Sequence, residues 1–157
     1  MFLHEVFPPE CIKVNLESGD KDEVFEEMVD FFCQAQKLDT REEILQAIRE
    51  REEKMSTGIQ KGIAIPHGKS NAVDRVYGVI GISKNGIDYD ALDGEPVYLL
   101  FLIIAPQQNT EQQLKVLKRL AELMENPQFY IDLQSQKDAQ GAYTIINKYE
   151  DILAAPE

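Results

Sequence analysis

One of only two histidines in the chain, His67, stands between Pro66 and Gly68 and follows the apolar run Ile63-Ala64-Ile65. An imidazole has an ordinary pKa of about 6.5, so near neutral pH one ring nitrogen is free to attack. A phosphoryl group accepted there makes a high-energy P–N bond, suited to onward transfer rather than storage. That chemistry needs a cation for the transferring oxygens and a partner that fixes the tautomer through the other nitrogen. Arg51, with backbone amides around Ser56, Thr57 and Gly68, could supply these contacts. Pro66 fixes its own φ and Gly68 tolerates a turn, so a sharp bend is expected at this histidine. Local physics leaves two readings open: an ordinary turn histidine, or a nucleophile presented from a rigid support.

Other chemistries are poorly served. Two histidines and the two cysteines, Cys11 and Cys33, show no metal-ligand spacing, so no metal is expected. There is no Gly-x-Ser-x-Gly elbow and no phosphate-cradling Gly-x-x-x-x-Gly-Lys loop. Cys33 falls in an apolar helical pattern and is expected to pack as a small hydrophobe. The net charge of −12 argues against nucleic acid or an anionic membrane surface as the main partner. Within residues 49–75, however, six basic groups face four acidic ones, leaving +2 there and −14 elsewhere. His67 therefore lies in the one locally positive window, either by chance or because an anion binds there. No apolar run reaches the roughly 20 residues of a membrane span, and the first residues do not resemble a secretory signal. A cytoplasmic location is expected.

The elements that must position this histidine follow from periodicity. Cys11 to Leu16 alternates like a strand. Asp20 with Glu23, and Thr40 with Glu43, resemble capping boxes for two helices that pair as a hairpin over one sheet face. Val76 to Ile82 and Val97 to Ile104 are continuous apolar runs, expected as buried strands, with turns at Asn85-Gly86 and Asp93-Gly94. Thr110 with Gln113 marks a third capping box, opening a helix with a Leu114, Leu117, Leu120, Ala121, Met124 stripe. Asn126-Pro127 and Asp138 start two further helices. The expected architecture is α/β, with 1–157 as a single domain. Its mixed central β-sheet would be flanked by helices on both faces.

The run from Arg51 through Met55-Ser56-Thr57-Gly58 to Ile65-Pro66-His67-Gly68 resembles the signature of type-2 IIA domains. These belong to the fructose/mannitol and nitrogen-regulatory branch of the phosphoenolpyruvate-dependent sugar phosphotransferase system. Asp93-Gly94-Glu95-Pro96-Val97 and Leu114-x-x-Leu117 resemble later blocks of the same family, and the resemblance, which spans the core at about 5–150, implies an α/β sandwich around a mixed sheet. The resemblance implies that His67 accepts a phosphoryl group at Nε2 from phosphorylated HPr and donates it to a cysteine of a IIB domain. Arg51 would stabilise the phosphoryl group, and no cofactor would be required. It also implies an alternative role as a regulatory protein whose partners depend on phosphorylation of His67. Many members carry a second histidine where this chain has Gln113. That glutamine is expected either to donate a hydrogen bond to a phosphoryl oxygen or to serve only its helix cap. His4, far from the signature, is expected to be an ordinary surface residue.

Overall fold

The computed structural model describes residues 3–108 and 110–154, apart from the side chains of Ile59 and Gln60. The chain runs through α1 (Leu3–Val6), β1 (Ile12–Lys13), α2 (Lys21–Gln36), α3 (Arg41–Lys54), β2 (Gly58–Gln60), β3 (Ile63–Ala64) and β4 (His67–Lys69). It continues through β5 (Tyr77–Ile87), β6 (Val97–Ala105), α4 (Thr110–Met124), α5 (Pro127–Gln134) and α6 (Ala139–Ala154). The strands form one mixed sheet in the order β1-β5-β6-β3-β2, with β4 also paired to β6.

Long apolar strands occupy the middle because their side chains are covered on both faces. Leu99, Phe101 and Ile103 of β6 join Leu120, Phe129 and Ile146 from α4, α5 and α6. The alternate residues Leu100, Leu102 and Ile104 join Phe25, Phe32, Leu45 and Ile48 from α2 and α3. Helices on both faces of a mixed sheet are thus the architecture read from the sequence. Cys33 packs as expected and Cys11 is buried as well, both as free thiols, and burial raises both above the ordinary thiol range.

Several local expectations change. The first strand is only Ile12–Lys13, because Pro9–Cys11 forms a 3-10 turn before it. Asp20 caps α2 through a hydrogen bond from Glu23 N at 2.9 Å, but Thr40 makes no cap bond to α3. Its hydroxyl is buried without a partner among the described residues. Asn85-Gly86 does not reverse the chain. β5 runs through it to Ile87 with a register shift after Ile82, the signature of a bulge, and Gly86 takes a φ of +88° there. The tight turn is instead Lys61-Gly62, with both residues at positive φ, as suits the antiparallel β2–β3 hairpin.

The stretch around Pro66 does not bend sharply either. Ile63 pairs with Leu99 and Ala64 with Leu100, while His67 pairs with Ile103 and Gly68 with Ile104, in unchanged register. β3 and β4 therefore form one interrupted parallel strand along β6. Pro66 sits in the gap, where its missing N–H costs no ladder bond and its carbonyl accepts from Ile103 N at 2.9 Å.

Candidate functional site

Gly68 explains how the site is assembled. Its φ is not positive, so conformational freedom is not its contribution. A Cβ there would lie 2.8 Å from the carbonyl oxygen of Ala47 and 3.1 Å from Ile48 N. The glycine lets α3 press directly onto β4 and brings the helix's basic C-terminal turn to the histidine. On the other side, Gln113 of α4 donates from Nε2 to the Gly68 carbonyl oxygen at 2.9 Å. Lys69 Nζ donates to Thr110 Oγ1 at 3.1 Å. β4 is therefore held between α3 and α4 at the sheet edge.

These contacts enclose an open cleft of about 420 Å³. Its walls are Glu50, Arg51 and Lys54 from α3, His67 and Lys69 from β4, and Gln113, Leu114 and Leu117 from α4. Three cations against one carboxylate make it positive inside an acidic protein. His67 is half-buried, and its Nδ1 lies 2.8 Å from the carbonyl oxygen of Ile65. A carbonyl only accepts, so Nδ1 carries the proton and Nε2 holds the lone pair. Desolvation pushes the imidazole pKa below its ordinary value, and the charges of Arg51 and Lys69 act in the same direction. The bond to Ile65 and the charge of Glu52 oppose this without reversing it. The ring is neutral and its Nε2 unprotonated at neutral pH, the state a nucleophile requires.

The residues singled out in the sequence divide into two groups. His67, Arg51, Gly68 and Gln113 come together at the cleft. Arg51 donates from one terminal nitrogen to Met55 O at 2.8 Å, which anchors the guanidinium beside the cleft. Thr57 turns elsewhere: its N–H and hydroxyl both donate to Glu52, at 2.9 and 2.6 Å. Ser56 accepts from Gly58 N through its hydroxyl at 3.1 Å and is not among the residues lining the cleft. Gln113 is 3% exposed and spends an amide hydrogen on Gly68. Thr110 is itself the first residue of α4, and its hydroxyl receives Lys69, so the expected capping box is replaced by ties to β4. The leucine stripe is also rotated. Val116, Leu120 and Leu123 are the buried apolar residues of α4, whereas Leu114 is 58% exposed and lines the cleft.

Periodicity gave no hint of the network beneath. Glu52 is 7% exposed and accepts from Thr57, from Tyr89 OH at 3.0 Å and from Lys21 Nζ at 3.1 Å. Burial alone would raise its pKa, but the bonds from Thr57 and the Lys21 ammonium prevail and hold it below the usual carboxylate value. Tyr89, buried against this carboxylate, is driven far above the ordinary phenol value. The network pins the end of α3, and with it Arg51, to the loop entering β2. A carboxylate and a hydroxyl separated by four intervening residues, Glu52 and Thr57, were the available signal. Lys54 and Lys69 were visible only as part of the positive window.

His4, expected at the surface, is half-buried with its ring edge-on to Tyr143 at 6.5 Å. Among the described residues, no group of three His, Cys, Asp or Glu side chains is placed to hold a metal ion. No helix among them is long and apolar enough to cross a membrane.

A mixed sheet covered on both faces, carrying a half-buried histidine in a cationic cleft at its edge, defines the class of protein. The chain matches the family described as "Phosphoenolpyruvate-dependent sugar phosphotransferase system, EIIA 2" over residues 5–149, and it belongs to that family. It is 37% identical over 150 residues to a PTS system fructose-specific EIIABC component of Bacillus subtilis, covering 96% of this chain. The match spans only 24% of that relative's length. A nitrogen regulatory protein of Bradyrhizobium diazoefficiens is 29% identical, with 93% of this chain and 95% of the relative covered. The crystal structure of nitrogen regulatory protein IIA-Ntr from Neisseria meningitidis superposes with a TM-score of 0.84 at 28% identity. That superposition covers 92% of this chain and 98% of the other.

Proposed function

We propose that this protein is a cytoplasmic phosphocarrier of the sugar phosphotransferase system. It accepts a phosphoryl group on Nε2 of His67 from a phosphorylated HPr-type carrier and passes it to the cysteine of a IIB-type domain. The observation that carries this reading is the Nδ1–Ile65 bond, which fixes the tautomer with its lone pair on Nε2 in a cationic cleft. In the transfer, the donor's P–N bond breaks as the bond from phosphorus to Nε2 forms. The electron pair returns to the donor ring, and the Nδ1 proton stays in its bond to Ile65. The imidazolium charge that develops is shared with that carbonyl, while Arg51 offers its remaining N–H groups to the phosphoryl oxygens. Incubation with phosphoenolpyruvate, enzyme I and HPr should give an acid-labile phosphate, absent in His67→Ala. A wild-type chain that stays unlabelled beside a competent control defeats the reading.

The end-to-end similarity to a nitrogen regulatory protein supports a second reading of the same site. There, phosphorylation of His67 would switch the binding of regulatory target proteins. Pull-downs with His67→Ala and His67→Asp should recover different partners; identical sets would count against a switch.

A further inference from the structure

We propose that Lys69 is the second phosphoryl-stabilising cation of this site, opposing Arg51 across the cleft and held in place by Thr110. The inference rests on His67 being the phosphoryl acceptor and asks what completes its electrostatics. The transferring group carries charge on three equatorial oxygens, and one guanidinium anchored on one wall covers only part of it. Arg51 belongs to α3 and is tied back to Met55. On the facing wall the polar group closest to the expectation was Gln113, but it is neutral, buried and bonded to Gly68. It has no charge to give, and its position is set by a structural bond.

Lys69 has both charge and freedom. It lies two residues beyond His67 on the same strand, so its side chain leaves the same face of β4. It lines the same cleft, and among the described residues its ammonium makes one bond, to Thr110 Oγ1 at 3.1 Å, which uses one of its three N–H donors. That bond restrains a flexible side chain at the first turn of a fifteen-residue helix, whose N-terminal dipole end also favours an anion. Lys69 further lowers the imidazole pKa by its charge, as expected for an ammonium near the ring. Lys54, the third cation of the cleft, is on the Arg51 wall and cannot close the far side.

The test uses Lys69→Met, which keeps the aliphatic stem, with Lys69→Arg and Thr110→Val as companions. The rate constant for phosphoryl acceptance from phosphorylated HPr should fall about tenfold or more in Lys69→Met. It should stay within about threefold of wild type in Lys69→Arg and take an intermediate value in Thr110→Val. In the unphosphorylated protein, the NMR titration midpoint of the His67 ring should rise in Lys69→Met and not in Lys69→Arg. A merely structural lysine would not produce that pattern. Lys69 is exposed, so the folded state should survive each change. If wild type labels and Lys69→Met labels at the same rate, this inference falls while the acceptor role of His67 stands. If wild type does not label, the acceptor reading itself falls.

Discussion

In the proposed role His67 acts as a neutral ring, and its surroundings set the pH at which it would stop doing so. Burial, with Arg51 and Lys69 behind it, depresses the imidazole pKa. Phosphoryl acceptance should therefore hold steady as pH falls through the ordinary imidazole range and decline only below it. The same shift affects stability. The native ring binds fewer protons than the unfolded one, so its contribution is complete above the ordinary imidazole value. It is lost as pH drops through the depressed folded value. A pH–rate profile with its acid limb at or above that of a free imidazole would contradict this. In Arg51→Ala the limb should move upward and the acceptance rate should fall by about 10²-fold. Pro66, Gly68 and the positive window marked these two residues as candidates, and the family resemblance supplied the roles proposed for them. The tautomer was not, because the Ile65 carbonyl faces Nδ1 only once the strand is laid along β6.

At the scale of elements, two small contacts hold β4 between its helices. Gly68→Ala places a Cβ against the backbone of Ala47, which has no side chain to swing aside, so α3 must retreat. We expect about 1–3 kcal/mol of destabilisation, together with slower acceptance because Arg51 moves with the helix. Gln113→Ala removes the donor to a buried carbonyl and should cost about 1–3 kcal/mol. Comparing chemical denaturation with acceptance rates separates the effects: Gln113→Ala should lose stability without the pH-profile shift of Arg51→Ala. Helices and buried strands were readable because their apolar periods are long. Caps and turns were readable only in part: Asp20, Asn126 and Asp138 accept from their helices as expected, but elsewhere the same residue types serve other ends. The Thr40 hydroxyl makes no cap bond, Asn85-Gly86 makes a bulge, and Thr110 receives a lysine. Leu114 looked like core because its spacing fits the stripe, but the true buried face runs through Val116, Leu120 and Leu123. An i, i+3, i+4 pattern cannot tell neighbouring faces apart when both carry leucine.

The whole molecule is two apolar layers sharing one sheet, and its first helix is fastened at a distance. Glu150 of α6 is 2% exposed, accepts from Leu3 N at 2.5 Å and from Arg119 of α4 at 3.1 Å. One carboxylate thus joins α1, α4 and α6. Glu150→Ala should cost about 1–3 kcal/mol, seen as roughly 2–4 °C of Tm for each kcal/mol. Phosphoryl acceptance should be unchanged, since none of these groups lines the cleft. Calorimetry beside the labelling assay tests both halves. No periodicity pointed to this tie, because it links residues 147 positions apart.

The unbroken register of β3 and β4 along β6 has an evolutionary consequence as well. The imidazole of His67 is positioned by counting: side chains alternate along a strand, so adding or removing one residue between Ala64 and His67 would swap its two faces. The histidine would then point where Gly68 now meets α3, and a bulky side chain would arrive where no Cβ fits. Drift in this segment should therefore proceed through replacements of residues and never through changes in their number.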